Sequence, residues 1–203
     1  MNIPQVNFSF RKLKATASSS EEKNGILTFH YTFQPDATAV DDFPERIQLS
    51  SSSLPYIRFR MTFPSLGILG TWMADSGFSK NIRADWAHGQ EINLSHSAPV
   101  VCFFDGDDNN CLTLALGEAS RDILLFPGIH EENGEMLLEA SVLLSEPLPE
   151  NYSLSIRLDG RSLPFSQVLR EISAWWDQEF PDAPMPVPTE ARIPMYSTWY
   201  SYH

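Results

Sequence analysis

The stretch Ile26–Phe33 (ILTFHYTF) alternates large apolar side chains with polar ones, and the shorter run Phe8–Phe10 (FSF) does the same. In an extended strand, successive side chains point to opposite faces, so a period of two places every apolar group on one face. These two runs therefore predict β-strands that are buried on one side and solvated on the other.

Seven further runs of this kind follow along the chain, separated by turn residues such as Asn24-Gly25, which supply the positive φ of tight hairpins. The nine predicted strands are Val6–Lys12, Ile26–Phe33, Arg46–Ser50, Tyr56–Phe63, Pro99–Phe104, Leu112–Leu116, Asp122–Phe126, Glu135–Leu144 and Tyr152–Asp159. The serine-rich stretches Ser18–Ser20 and Ser50–Ser53 are predicted to be loops. Because no helix separates the strands, residues 1–160 predict an all-β fold, a two-sheet antiparallel β-sandwich of the supersandwich type.

Residues 161–180 predict one C-terminal helix that packs on the sandwich. Ser162 can cap it, Pro164 suits its first turn, and apolar residues recur at helical spacing; they are Phe165, Val168, Leu169, Ile172 and Trp176. Four prolines in the next eight residues predict an extended linker over 181–193. The aromatic-rich run 194–203 (PMYSTWYSYH) is expected to begin a second folded domain that lies beyond this chain.

The composition excludes several classes of partner. A formal net charge of −12 argues against nucleic acid and against anionic membrane surfaces, whereas a neutral substrate remains compatible with it. The N-terminal residues lack a long apolar segment, so we expect neither a signal peptide nor a membrane span, and the cytoplasm is the favoured location.

Cysteine and acidic residues each leave two interpretations open. Cys102 and Cys111 flank a predicted turn and could form a cross-strand disulfide, although two free thiols are favoured. The loop Asp105–Asn110 (DGDDNN) could hold calcium, but strands on both sides favour a plain hairpin. The histidines are scattered, so no metal site is predicted, and no nucleotide or cofactor motif is present in the sequence.

The segment Gly70–Glu91 combines two tryptophans, two aspartates and a histidine with little strand or helix periodicity. An indole can stack on the C–H face of a sugar while a carboxylate accepts its hydroxyl protons. Trp72, Asp75 and Trp86 are therefore candidate ligand contacts, and the alternative is that the two tryptophans fill an edge of the sandwich. Glu131-Glu132 and Glu118 could be imagined as an acid–base pair, but nothing in the sequence fixes their separation, and solvated loop carboxylates explain them better.

Three stretches together resemble the N-terminal region of glycoside hydrolase family 36, the α-galactosidase type: Trp72–Glu91, Pro99–Ala119 and Pro194–His203. The resemblance implies a β-supersandwich followed by a catalytic (β/α)8 barrel and a small β domain, with terminal α-galactosides or related oligosaccharides as substrates. It implies retaining hydrolysis by two barrel carboxylates at positions after His203, so no catalytic residue is assigned in this chain.

Within that resemblance, Trp72, Asp75 and Trp86 are candidates for an aromatic and polar wall of the sugar pocket, and Trp199 for a place near the pocket floor. Three functional hypotheses follow. The chain is a non-catalytic domain that shapes the sugar pocket or a homo-oligomer interface, a free-standing carbohydrate-binding module, or a purely structural sandwich. Measurable sugar affinity of the chain separates the second hypothesis from the third.

Overall fold

The alternating runs form two antiparallel sheets in the computed structural model, as the sequence predicts. The structure describes residues 6–38, 55–74, 82, 90–92, 97–118, 120–145, 147–181 and 188–192; residues 90–92 and 190–191 are described by their backbone alone. The strands are β1 Asn7–Arg11, β2 Leu13–Lys23, β3 Ile26–Pro35, β4 Tyr56–Pro64, β5 Gly70–Met73, β6 Gln90–Ile92, β7 Val100–Phe104, β8 Asn110–Gly117, β9 Ile123–Ile129, β10 Glu135–Leu143 and β11 Tyr152–Asp159. One α-helix, α1 Phe165–Glu179, and a 3-10 helix, Thr189–Arg192, complete the described elements.

One sheet has five strands in the order β1-β4-β10-β9-β6, and the other has six in the order β2-β3-β11-β8-β7-β5. Every strand pair is antiparallel. The core lies between the sheets and is filled by the alternate residues of strands such as β11, which contributes Leu154, Ile156 and Leu158. Large rings meet across the two sheets, as where Phe63 and Phe103 pack edge to face with centroids 5.0 Å apart. The all-β sandwich prediction is confirmed.

Three strands were not predicted. Ser18–Ser20, predicted as a loop, lies inside β2, whose residues after Leu13 are all exposed. A strand that is solvated on both faces has no apolar alternation to reveal it. The short strands β5 and β6 lie at the two ends of the segment Gly70–Glu91, and three or four residues are too few to show a period. The predicted strand Arg46–Ser50 lies outside the described residues.

Helix α1 falls within the predicted range and packs on the outer face of the six-stranded sheet. Val168, Ile172 and Trp175 lie against Val100 of β7 and Ala115 of β8, where the small alanine leaves room for the helix. The neighbouring Trp176, which was predicted to belong to the apolar face, is half-buried and donates its indole N–H to the carbonyl of Leu116 at 2.9 Å.

The predicted cap of α1 by Ser162 is wrong. Pro164 occupies the cap position and no side chain caps the helix there, because Ser162 lies two residues too early. The first helical N–H, that of Phe165, instead donates to the carbonyl of Asp108 at 3.1 Å. The β7–β8 loop therefore provides the hydrogen-bond acceptor for the first N–H of the helix, which ties the loop to the helix.

Beyond the helix, Thr189–Arg192 of the predicted linker 181–193 form a 3-10 turn, whereas an extended chain was predicted. Residues 182–187 of that linker and the predicted barrel start 194–203 lie outside the described residues. In the described part of the chain, no helix is long and apolar enough to cross a membrane.

Candidate functional site

Trp72 is the one predicted sugar-contacting residue within the described part of the chain. It lies on β5 opposite Cys102 of β7, is half-buried, and packs edge to face on Phe165 of α1 with ring centroids 5.0 Å apart. Its indole therefore lies between the six-stranded sheet and the helix, and its role as a sugar-pocket wall stays a prediction. Asp75, Trp86 and Trp199 lie outside the described residues, so the structure does not bring the four together.

The acidic loop Asp105–Asn110 joins β7 to β8 as a hairpin, which confirms the favoured interpretation. The Oδ1 atom of Asp105 accepts the backbone N–H groups of Asp107 and Asn109, each at 2.9 Å. These bonds hold the pKa of Asp105 below its usual value. Its carboxylate therefore shapes the loop, and the described residues contain no group of three or more His, Cys, Asp or Glu side chains placed to hold a metal ion.

Glu118 organises the loop between β8 and β9. Its Oε1 atom accepts the backbone N–H groups of Ser120 at 2.6 Å and Arg121 at 3.1 Å, while its Oε2 atom accepts the hydroxyl of Tyr152. Burial and the adjacent carboxylate raise the pKa of Tyr152. Glu118 is therefore a buried structural carboxylate, and the prediction that it is solvated is wrong.

Both cysteines are free thiols, as favoured from the sequence. Cys102 is buried and Cys111 is half-buried. Desolvation raises the pKa of both, that of Cys102 to about 12. Thiolates are the reactive form, so neither side chain has the lowered pKa of a nucleophilic cysteine.

A buried polar cluster lies on the outer face of the five-stranded sheet. Arg60 donates twice to Oε2 of Glu139, at 2.8 and 2.5 Å, and Arg58 donates to Ser141 at 3.1 Å while its Nε lies 3.6 Å from Oε1 of Glu139. The Arg58 guanidinium also lies over the ring of Tyr56, 4.6 Å from its centroid. These contacts join β4 to β10, although Nη2 of Arg58 and Oε1 of Glu139 are buried without a hydrogen-bond partner among the described residues.

The outer face of the six-stranded sheet has a different character. Helix α1 packs on β7 and β8, whereas β11, β3 and β2 carry polar side chains on this face, and most of these except the buried Asp159 are at least partly exposed. A concave pocket of about 420 Å³ lies between these strands and the C-terminal end of the helix. Its lining residues are Glu21, Lys23, Asn24, Ile26, Thr28, Arg157, Arg161 and Gln178. We call it the Arg157 pocket, and its volume is within the range of small-molecule sites.

Strand register and one tight turn build this pocket. Glu21 of β2 lies opposite Thr28 of β3, which in turn lies opposite Arg157 of β11, so the three side chains share one face. Asn24 and Gly25 turn β2 into β3 with φ values of 52° and 79°. The carbonyl of Gly25 accepts the N–H of Gly160 at 3.0 Å, which brings the end of β11 to the turn.

Arg161 forms the strongest ion pairs of the pocket. Its guanidinium donates from Nε to Asp159 Oδ1 at 2.9 Å and from Nη2 to Asp159 Oδ2 at 2.5 Å. The same Nη2 donates to Glu171 of α1 at 2.5 Å. The bonds to Asp159 are the main reason that the pKa of Arg161 is raised, and the bond from Arg161 lowers the pKa of Glu171. This bridge fixes the helix to the sheet beside the pocket.

Arg157 is less well compensated. Its side chain is only 12% exposed, and its Nη2 lies 3.8 Å from both Asp159 and Glu171, beyond hydrogen-bond distance. Its Nε is buried and has no hydrogen-bond partner. Desolvation is the largest effect on this group and lowers the pKa of Arg157. The pocket therefore presents a partly desolvated cation whose neighbouring carboxylates are bonded to Arg161.

Next to the pocket, His30 Nδ1 lies 3.0 Å from Ser155 Oγ. The two residues are directly opposite each other in the β3–β11 pair, and that register alone brings such side chains into contact. The pair therefore has an ordinary cross-strand explanation, and we assign it no catalytic role.

Sequence reasoning missed the Arg157 pocket. The only signal was Arg157, a basic residue in the middle of the predicted strand Tyr152–Asp159. It lies at one of the alternating polar positions, where a charged side chain ordinarily faces solvent. The placement of Arg161 depends on the turn after β11 and on the Gly25 contact, neither of which leaves a pattern in the sequence.

Comparison with models of known protein families gives no match, and no curated protein matches this chain.

Proposed function

We propose that this chain is the non-catalytic N-terminal β-sandwich domain of an α-galactosidase-like glycoside hydrolase, in which it shapes the sugar pocket or the oligomer interface. The proposal is supported by the resemblance of three sequence stretches to that enzyme family and by the two-sheet architecture that the resemblance implies. The parent enzyme would hydrolyse terminal α-galactosides with two carboxylates of its barrel, retaining the anomeric configuration.

The observation that carries the proposal is the adjacency of two resembling stretches. Trp72–Glu91 begins in β5 and Pro99–Ala119 contains β7 and β8, and these three strands are consecutive neighbours in one sheet. Helix α1 packs on the same strands, and Trp72 takes part in that contact. The start of the first stretch, Trp72–Met73, therefore lies beside the second stretch in one sheet, as expected if the resemblance reflects a shared domain.

The decisive experiment is to read and express the complete reading frame to which this chain belongs. We expect a barrel with two carboxylates at neighbouring strand ends after His203, and hydrolysis of p-nitrophenyl α-D-galactoside that first releases the α-anomer, followed by proton NMR. This chain alone should not hydrolyse the substrate. A complete protein that has no barrel, or that leaves α-galactosides intact, would refute the proposal.

Trp72 offers a test of the domain's role in the full-length enzyme. Trp72→Phe keeps an aromatic ring against Phe165 but removes the indole, and we expect KM for the galactoside to rise about tenfold with little change in kcat. Trp175→Phe is the matched control, because Trp175 is buried at the same helix–sheet contact and is not predicted to touch sugar. Equal effects of both substitutions would show that Trp72 acts through packing alone.

A further inference from the structure

We propose that the Arg157 pocket binds the carboxylate of an acidic sugar. The carboxylate part of this inference rests on the pocket alone, and the choice of a sugar as the body of the ligand rests on the proposed function. No residue of the pocket is among the predicted sugar contacts, so this would be a second binding site on the chain.

The lining of the pocket is less acidic than the chain as a whole. Three of the eight lining residues are basic and one is acidic, whereas the whole chain has 14 Lys and Arg against 26 Asp and Glu. Asp159 and Glu171 lie beside the pocket and are both bonded to Arg161, so with Glu21 they balance the three basic side chains. An anion entering the pocket would therefore meet a locally neutral site in an otherwise acidic protein.

The chemistry of Arg157 selects the kind of anion. A guanidinium presents its N–H groups as a planar fork, which matches the two oxygens of a carboxylate. The side chain of Arg157 is largely buried on the outer face of β11, and its nearest carboxylates remain 3.8 Å away. A ligand carboxylate could thus provide the close acceptor that the protein itself does not supply to this group.

The remaining lining residues suit a hydroxylated body. Glu21 can accept hydroxyl protons, Asn24 and Gln178 can both donate and accept, and Thr28 adds a hydroxyl. Ile26 provides an apolar surface for C–H groups. One carboxylate attached to several hydroxyls and a compact ring describes a uronic acid.

The test is isothermal titration calorimetry of the chain with three probes, D-galacturonate, D-galactose and inorganic phosphate, at low ionic strength. We expect D-galacturonate to bind at least tenfold more tightly than either other probe. Arg157→Gln should weaken D-galacturonate binding at least tenfold, and Arg157→Lys should restore part of the loss. Circular dichroism and the urea midpoint of each variant establish that it is folded.

Lysine substitutions on β2 provide a check that does not disturb the buried arginine. Lys23→Gln should weaken D-galacturonate binding about threefold. Lys14→Gln should leave it unchanged, because Lys14 is an exposed residue of the same strand about 30 Å away along β2. Equal effects of the two lysine substitutions would mean that binding responds only to overall charge, and the site would be refuted.

Three other results would also overturn the inference: no heat with D-galacturonate, equal binding of D-galactose, or tighter binding of phosphate. None of them bears on the proposed domain function, which is tested by the reading frame and by hydrolysis. Conversely, a reading frame without a barrel would leave the carboxylate site standing if D-galacturonate binds and Arg157→Gln abolishes binding.

Discussion

Asn110 is a buried side chain that connects three parts of the sandwich, and its replacement by alanine should destabilise the protein strongly. Its Nδ2 donates to the carbonyls of Asp159 at 2.9 Å and Arg161 at 2.8 Å. Its Oδ1 accepts the hydroxyl of Thr113 at 2.6 Å and lies 3.5 Å from Sγ of Cys102. The amide thereby holds the segment that carries Arg161 against β8.

The magnitude follows from the groups that Asn110→Ala leaves behind. The carbonyl of Asp159 and the hydroxyl of Thr113, both in fully buried residues, lose their bonds to the amide, whereas the carbonyl of Arg161 keeps the N–H of Leu163 at 3.1 Å. Each buried polar group without a partner costs about 1–3 kcal/mol, so we expect a loss of about 4 kcal/mol in the free energy of unfolding. For a domain whose total stability is about 5–15 kcal/mol, this is a large fraction.

Urea unfolding at 25 °C, followed by tryptophan fluorescence, measures this loss as a shift of the midpoint at constant m. The matched control is Asn109→Ala, because Asn109 is half-buried and its side chain makes a single long bond of 3.4 Å to Asp105. We expect the control to lose less than about 1 kcal/mol. A similar loss for both variants, or a loss below about 1.5 kcal/mol for Asn110→Ala, would refute the hydrogen-bond argument.

Three further predictions concern the turn, a thiol and an ion pair. Gly25→Ala should lower the unfolding free energy by about 1 kcal/mol more than Gly134→Ala in urea titrations: both glycines have positive φ, but only a Cβ at Gly25 would meet Arg161, at 3.0 Å. Burial raises the pKa of the Cys102 thiol to about 12, so this thiol should not react with Ellman's reagent at about pH 8 in the folded protein. Peptide mass spectrometry should find Cys102 unmodified in the folded protein and modified in guanidinium, and modification before unfolding would contradict its burial. The hydrogen bond from Arg161 lowers the pKa of Glu171 below 4.5, so the stability that this bond contributes is present above pH 4.5 and is lost as the pH falls further. Glu171→Gln should remove this part of the acid-induced loss of stability between about pH 5 and 3. An unchanged dependence of stability on pH would contradict the prediction.

The fold was predictable where burial leaves a period in the sequence. Strands such as β11 bury one face against the core, so their apolar residues alternate and their positions could be read directly. The edge strand β2 has no buried face beyond Leu13, and only its pairing with β3 through the Asn24–Gly25 turn makes it a strand. The helix was predictable from its apolar face, but its cap was not, because the first N–H bonds to a carbonyl of a distant loop.

The candidate site was far less predictable, since it depends on which residues of different strands share a face. Tryptophan and aspartate content directed attention to Trp72, which packs under the helix. Arg157, by contrast, looked like an ordinary solvated residue of an alternating strand. What distinguishes Arg157 is that both neighbouring carboxylates, those of Asp159 and Glu171, bond to Arg161 and not to it. That pairing is fixed by side-chain geometry after folding.

The composition of β2 has a consequence for how molecules of this protein meet one another. Within the described residues, β2 has β3 as its one strand neighbour, so the backbone along its other side is a template for pairing with a further strand. Serine, glutamate and lysine side chains occupy most of that strand, and a second copy adding itself there would have to strip water from them without gaining an apolar contact. Filament growth by strand addition to β2 should therefore be suppressed, and any symmetrical pairing of subunits should use another part of the surface.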